Sequence, residues 1–399
     1  MQIGHCSRVG AFFGALFLIY GVHLPFLPLW LEWRGLSAEE IAVVVAMPFF
    51  LRLGVSPGVA FLADRSGRHR WTIVLLAWWS MVMAALLGQL NGFYEILGAA
   101  VALSLAMTTI MPLTEVIAVG GVRVHGCDYG RMRVWGSLTF ILASSIAAWC
   151  IGLLGVGSVV WLVFAGCLIT AITAHLLPAD TLVVARCGDG KPPLRLGAIR
   201  ELVLSPVFLM FLVASGSIQA AHATYYAFGS IHWARQGLSA ELIGALWALG
   251  VFAEIVLFAW SGAVHQRLSA GALMVIGGAA SVVRWAMMAA DPGFGVLALL
   301  QVLHALTFGA SHLAAIRFIS LAVDAKFAGT AQALYATIAM GVVMGGATLA
   351  SGVFYEMMGG STFFLMAGLA GVGLIAAIGV VRFWGGGLLT DAQPKVEVV

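Results

Sequence analysis

Apolar residues run along this chain in long blocks, broken by short clusters of charged and turn-forming residues. A helix crosses a bilayer with about 20 predominantly apolar residues. By that measure the pattern predicts twelve spans, over 9–31, 39–62, 71–90, 93–120, 129–154, 157–178, 204–232, 239–263, 270–290, 293–321, 327–355 and 361–384. The longer ones must tilt or extend beyond the hydrocarbon. Composition agrees. Of 399 residues 62% are apolar and 9% charged, against about 25% charged in a soluble domain, and mean hydropathy is +1.03. A soluble globular protein, a disordered chain and a nucleic-acid binder are excluded. The expected fold class is all-α: a polytopic membrane protein with twelve transmembrane helices.

Charge placement sets the orientation. With the N-terminus cytoplasmic, Arg8, Arg65, Arg68, Arg70, Arg123, Arg131, Arg133 and most later basic residues fall on one side, and only Arg34 and Arg235 on the other. Such a bias predicts that both termini are cytoplasmic. No cleavable leader precedes the first span, which reads as an uncleaved anchor. The longest polar stretch, 179–201, contains Pro192 and Pro193. It divides the chain into an N-terminal six-helix bundle (1–178), a cytoplasmic central loop (179–201) and a C-terminal six-helix bundle with a short tail (202–399). The five cysteines, Cys6, Cys127, Cys150, Cys167 and Cys187, have no metal spacing and read as packing residues.

An internal repeat supports the division. Gly35-Leu-Ser-Ala-Glu-Glu-Ile-Ala42 matches Gly237-Leu-Ser-Ala-Glu-Leu-Ile-Gly244 at most positions, half a chain away. Both copies carry a serine N-cap and a first-turn glutamate, and both fall on the same side of the membrane. The halves are therefore parallel repeats, as in the major facilitator architecture. Between spans two and three, Gly58, Asp64, Arg65, Gly67 and Arg68 resemble the signature loop of the major facilitator superfamily. The expected role is gating: Gly58 for close helix contact, Asp64 near a helix N-terminus and Gly67 for the turn. An ordinary charged turn is the alternative, but the full pattern is more specific than that and favours the resemblance.

Ionisable groups inside spans are costly and need a partner or a cavity. Glu115 in span four lies at the depth of Arg131 and Arg133 in span five, so a pair across that hairpin is expected. In the second half Glu254, Arg284 and His304 are placed to converge on one cavity. Glu254 is the proton-carrier candidate, because a buried carboxylate is relieved by taking up a proton. Arg284 cannot give one up and is a counter-ion or an anion clamp. His312 reads as a core histidine, Arg317 as a snorkelling side chain, and Arg52 has no assigned role. Span seven carries Gln219, His222, Tyr225 and Tyr226, which line a cavity or serve as packing and interfacial anchors.

Several segments taken together resemble one family. They are Asp128-Tyr-Gly-Arg-Met-Arg133-Val-Trp135-Gly136-Ser137, Met111-Pro-Leu-Thr-Glu115, Ala221-His222-Ala-Thr-Tyr225-Tyr226, Phe252-Ala-Glu254, Val283-Arg284-Trp285, Leu303-His304 and Ser311-His312-Leu-Ala-Ala-Ile-Arg317. The family is that of the 3-phenylpropionate transporters, within the major facilitator superfamily and distantly akin to oligosaccharide:proton symporters. The resemblance implies proton-coupled uptake through a bacterial inner membrane by a monomer. It implies that Glu115 and Arg133 line the substrate path, while Glu254, Arg284 and His304 handle the proton. Span ten departs from the symporter pattern, since it holds no acid.

The expected partners are a small-molecule substrate, a proton and the lipid bilayer, with no nucleic acid, cofactor or metal. A proton-coupled exporter, or a symporter of a nucleoside or sugar, would fit the same fold. An enzyme is disfavoured because HExxH, GxSxG and a carboxylate cluster are all missing. A channel lacks its repeated filter motif, and ATP-driven transport lacks its GxxxxGK[ST] loop.

Overall fold

The computed structural model describes residues 4–178, 202–324 and 327–389. Among the described residues the regular structure is helical, as hydrocarbon demands of a chain that must satisfy its own backbone. Spans one to five are His5–Trp33, Ala38–Ser66, His69–Leu87, Phe93–His125 and Tyr129–Leu154. Spans six to ten are Val156–Ala174, Pro206–Arg235, Ala240–Ala259, Ala270–Met288 and Phe294–Ala322. The last apolar stretch, Ala328–Phe383, is 56 residues long. It breaks at Gly359 (φ 55°) and supplies spans eleven and twelve, which brings the crossings to twelve. The polar linker placed at 179–201 lies outside the described residues.

Both copies of the repeat adopt the same turn. Gly35 and Gly237 each have φ of 87°, a left-handed conformation that suits glycine. Ser37 Oγ accepts from the Glu40 amide and Ser239 Oγ from the Leu242 amide. Only the first copy closes a full capping box, because Leu242 stands where Glu40 does. Gly67 makes the other turn as expected (φ 65°), and Asp64 Oδ1 lies 2.7 Å from His69 Nε2. Gly58, by contrast, faces open space, so the close helix contact expected there is not made.

Helix contacts depend on small residues, since apolar side chains gain little by leaving lipid for one another. Span one rests on span five through Gly10, Gly14 and Gly21. A Cβ on Gly21 would stand 2.5 Å from the Phe140 carbonyl oxygen. The two halves meet in the same manner, Gly352 against Ala38 and Ala42, and Gly244 against Ser144 and Ala148. Arg235 donates to Glu32 Oε1 at 2.7 Å, the Ala38 amide to Glu356 Oε2 at 3.2 Å, and Ser144 Oγ to the Gly244 carbonyl at 3.4 Å. These bonds lie on the side of the Gly35 and Gly237 turns. That side is the sealed face, and the face of the Asp64–His69 turn is its opposite.

One reading from the sequence is corrected. Cys6 and Cys127 are joined in a disulfide, with Cα atoms 5.6 Å apart, so these two are cross-link residues and not packing residues. Cys167 is buried and free, as a packing cysteine should be.

Gly21→Leu is expected to lower stability by about 1–3 kcal/mol through overpacking, whereas Gly98→Leu, which meets nothing within 4 Å, should change it little. Thermal unfolding of the purified variants in one detergent checks this; equal melting temperatures would refute the close approach of spans one and five.

Candidate functional site

Span seven is interrupted at Ala221–His222, between helices Pro206–Ala220 and Ala223–Arg235. Span ten is interrupted by a π-helical turn, Ala305–Ala310. These two irregular segments face each other around Arg284 of span nine, whose guanidinium is fully buried. Its Nη1 donates to His304 Nδ1 and to Thr307 Oγ1, each at 3.0 Å. Its Nη2 donates to Gln301 Oε1 at 2.9 Å. The rings of Trp285 and Tyr225 lie 4.5 and 5.0 Å from the guanidinium carbon, in cation–π range.

Hydrogen-bond direction fixes more than the contacts do. A guanidinium only donates, so His304 Nδ1 accepts, and the proton of the neutral ring sits on Nε2. That nitrogen faces Glu254 Oε2 at 3.7 Å, a gap wider than a direct hydrogen bond. On the other side, His222 Nδ1 lies 3.0 Å from the Gln219 carbonyl and Nε2 lies 3.1 Å from Thr307 Oγ1. The carbonyl can only accept, so His222 Nδ1 donates and Nε2 accepts from Thr307. Arg284 is thus held by a chain of neutral groups, and Glu254 is the acid nearest to it along that chain.

Glu254 and His304 open onto a chamber of about 300 Å³. Its walls come from both halves. Phe17, Tyr20, Arg133 and Phe140 stand on one side, and Tyr225, Tyr226, Trp247 and Phe308 on the other. Tyr225 stacks on Trp247, with ring centres 4.4 Å apart, and Trp247 is fixed by donating to Ser230 at 2.9 Å. Arg133 lies over the Phe17 ring at 4.1 Å. The lining is mostly aromatic, with a cation on one wall and a carboxylate on the other.

The structure brings Glu254, Arg284 and His304 together, and it puts Arg133, Tyr225 and Tyr226 at or beside them. His222 is buried behind Tyr226, off the chamber wall. Glu115 is not on that wall either. It accepts from the Tyr129 hydroxyl at 3.2 Å, and no ion pair within 4 Å joins it to Arg131 or Arg133 among the described residues. Asp64, Arg65 and Arg68 sit at the face opposite the sealed one, far along the bundle from the chamber. His312 lies 3.5 Å from the Tyr335 hydroxyl, and Arg317 donates to the Leu268 carbonyl.

A model described as the MFS_1 like family matches residues 9–366. The chain belongs to that family. Among its curated relatives is a probable 3-phenylpropionic acid transporter of Escherichia coli, 29% identical over 88% of this chain and 91% of the relative. Another is a maltose permease of Geobacillus stearothermophilus, 27% identical over 86% of each. The solved structure of the nucleoside transporter NupG covers 96% of this chain and 100% of its own, with TM-score 0.81 and 14% identity. A bacterial homologue of the lysosomal transporter Spinster gives TM-score 0.69 at 14% identity. The fold is that of the major facilitators, and the protein is a multi-pass membrane transporter, not an enzyme.

Sequence reasoning overlooked Gln301 and Thr307. A signal was present: Gln301, His304 and Thr307 recur every third residue on one helix face inside an apolar span. Gln301→Leu should destabilise the transporter by about 1.5–3 kcal/mol, the worth of a hydrogen bond to a charged group. Adding Arg284→Met should restore most of that loss, since the uncompensated charge is gone. Denaturation midpoints of the single and double variants measure it, and a double variant weaker than the single one would contradict the account.

Proposed function

We propose that the protein is a proton-coupled symporter of small aromatic carboxylates, working by alternating access between two six-helix bundles, 1–178 and 202–399. The observation that carries this reading is the chamber: aromatic walls from both halves, with Arg133 facing Glu254. A substrate ring gains from stacking and apolar burial there. Its carboxylate gains from the cation. Among the described residues Glu254 is the one acid on the wall, and two carboxylates at short range in a low-dielectric chamber repel. Entry of an anionic substrate is therefore favoured when Glu254 carries a proton, and proton uptake is favoured when substrate is present. That reciprocity is coupling in the thermodynamic sense.

In this reading His304 and Arg284 set the charge that Glu254 answers to, and Tyr225 and Tyr226 shape the substrate surface. Arg133 lines the path, and Glu115 and His222 support it from behind. The turn carrying Gly58, Asp64, Arg65, Gly67 and Arg68 serves gating and topology. The protein acts as a monomer in a bacterial inner membrane, with both termini cytoplasmic and the sealed face periplasmic. A sugar would need many more hydrogen-bonding side chains than this wall offers, which favours the aromatic acid over a maltose-like solute.

The test is accumulation of radiolabelled 3-phenylpropionate in proteoliposomes under an imposed proton gradient. Wild type should concentrate the acid, and Glu254→Gln should lose gradient-driven accumulation by at least about tenfold while retaining exchange of internal for external substrate. Uphill transport by Glu254→Gln would remove the proton from Glu254. Export against the same gradient would reverse the assigned direction.

A further inference from the structure

Arg52 of span two is left over by the mechanism above. It lies mid-helix in Ala38–Ser66, partly buried, beside the Phe49 ring at 4.9 Å. No carboxylate among the described residues is within ion-pair distance of it. A guanidinium at membrane depth without an acid is costly. Its hydrogen bond is to the backbone carbonyl of Met340, and Met340 belongs to the other half. Span eleven takes a π-helical turn there, Ile338–Val343, and such turns free a backbone carbonyl for an outside donor.

Beside Arg52 is a second cavity, of about 140 Å³. Tyr20, Leu24 and Tyr226 line both this side chamber and the main one, so the two are neighbours separated by two tyrosines. Among the described residues, no acid lines the side chamber. Its polar groups are Arg52, His23, Ser104, Thr108 and the two tyrosines, and His23 has only a 3.4 Å contact with Ser104 Oγ. A cation facing an acid-free pocket with hydroxyl and imidazole groups around it is arranged to receive an anion. The main chamber supplies the aromatic surface for a ring.

We propose that the side chamber is the docking site for the substrate's carboxylate, that Arg52 binds it, and that the carboxylate does so by displacing the Met340 carbonyl. The inference rests on the aromatic-acid reading and moves the anion from Arg133 to Arg52, so that Glu254 meets its charge across Tyr20 and Tyr226. It also gives binding a conformational consequence. While empty, Arg52 ties span two to span eleven across the halves. When an anion takes the guanidinium, that tie is exchanged for a bond to the ligand, and the halves are freer to part on the sealed face.

The test compares 3-phenylpropionate with its neutral isostere 3-phenylpropionamide, by equilibrium binding to purified wild type, Arg52→Gln and Arg52→Lys, each first shown to be folded by gel filtration and thermal unfolding. Wild type should prefer the acid by at least about tenfold, the worth of a charge-assisted bond. Arg52→Gln should bind acid and amide alike, and Arg52→Lys should recover part of the preference. A wild-type acid-to-amide ratio in Arg52→Gln would overturn the inference and leave the carboxylate to Arg133, with the aromatic-acid reading intact. Binding of neither compound by wild type would overturn that reading and this one together. A second measurement follows the gate. With Ala42→Cys, placed where Gly352 meets the first half on the sealed face and outside the side chamber, alkylation at position 42 by a polar maleimide, read by peptide mass spectrometry, should rise several-fold on adding the acid. Combined with Arg52→Gln it should be as fast without ligand. Slow alkylation in that combination would contradict the tie between the halves.

Discussion

A guanidinium group with no contact with water sits inside the second half of this protein, and much of the surrounding structure answers to it. Burying a charge is tolerable only when it finds hydrogen-bonding partners, and both terminal nitrogens of this guanidinium find them, though Nε does not. Arg284 therefore fixes what spans seven, nine and ten can be. Gln301, His304 and Thr307 must stand on the helix face that meets it, and Trp285 and Tyr225 must offer their rings. Every hydrogen-bonding partner in this set is neutral. The nearest acid is Glu254, reached through His304, so the positive charge remains uncancelled locally and its influence extends into the chamber. The same residue that threatens the fold gives the cavity its electrical character.

The irregular backbone follows from that arrangement. Helices in lipid keep their hydrogen-bond ladders closed, and breaks are tolerated only where protein or a cavity surrounds them. The interruption at Ala221–His222 and the π-turn at Ala305–Ala310 both border the Arg284 cluster and the chamber. At the break, His222 donates to the Gln219 carbonyl, so a side chain stands in for part of the lost ladder. The turn at Ile338–Val343 is handled differently, by a side chain from the opposite half.

The sequence made the rare groups legible and hid the common ones. Arg284, Glu254 and His304 stand out because ionisable residues in apolar spans are few, and the structure places all three together. The turns at Gly35 and Gly237 were legible from capping chemistry, and they share one conformation. Phe17, Tyr20, Phe140 and Trp247 were not. In a helix apolar on every face, no periodicity separates a residue that lines a chamber from one that meets lipid. The break in span seven and the two π-turns have no proline within them to announce them. The Cys6–Cys127 link joins positions 121 residues apart, a pairing decided by how spans one and four lie together. Gly58 shows the opposite error: a motif resemblance suggested a close contact that the helices do not make.

Two cations on the N-terminal half, Arg133 and Arg52, reach the two neighbouring cavities, and their surroundings differ in a way that bears on coupling. Arg133 lies against the Phe17 ring within its own half; neutralising it would change the chamber's potential without cutting a bond between halves. Arg52 is bonded across the halves to Met340. Among the other cross-half bonds, the Glu32–Arg235 pair is over half exposed at its arginine, and such pairs contribute about 0–1 kcal/mol. A contact shielded from water is harder to replace than an exposed one unless a ligand supplies the replacement. A solute that carries both a ring and an anion can fill the aromatic chamber and supply that replacement in a single binding event. Alternating access needs a ligand to change the balance between two arrangements of the halves, and only a contact that differs between those arrangements can do so.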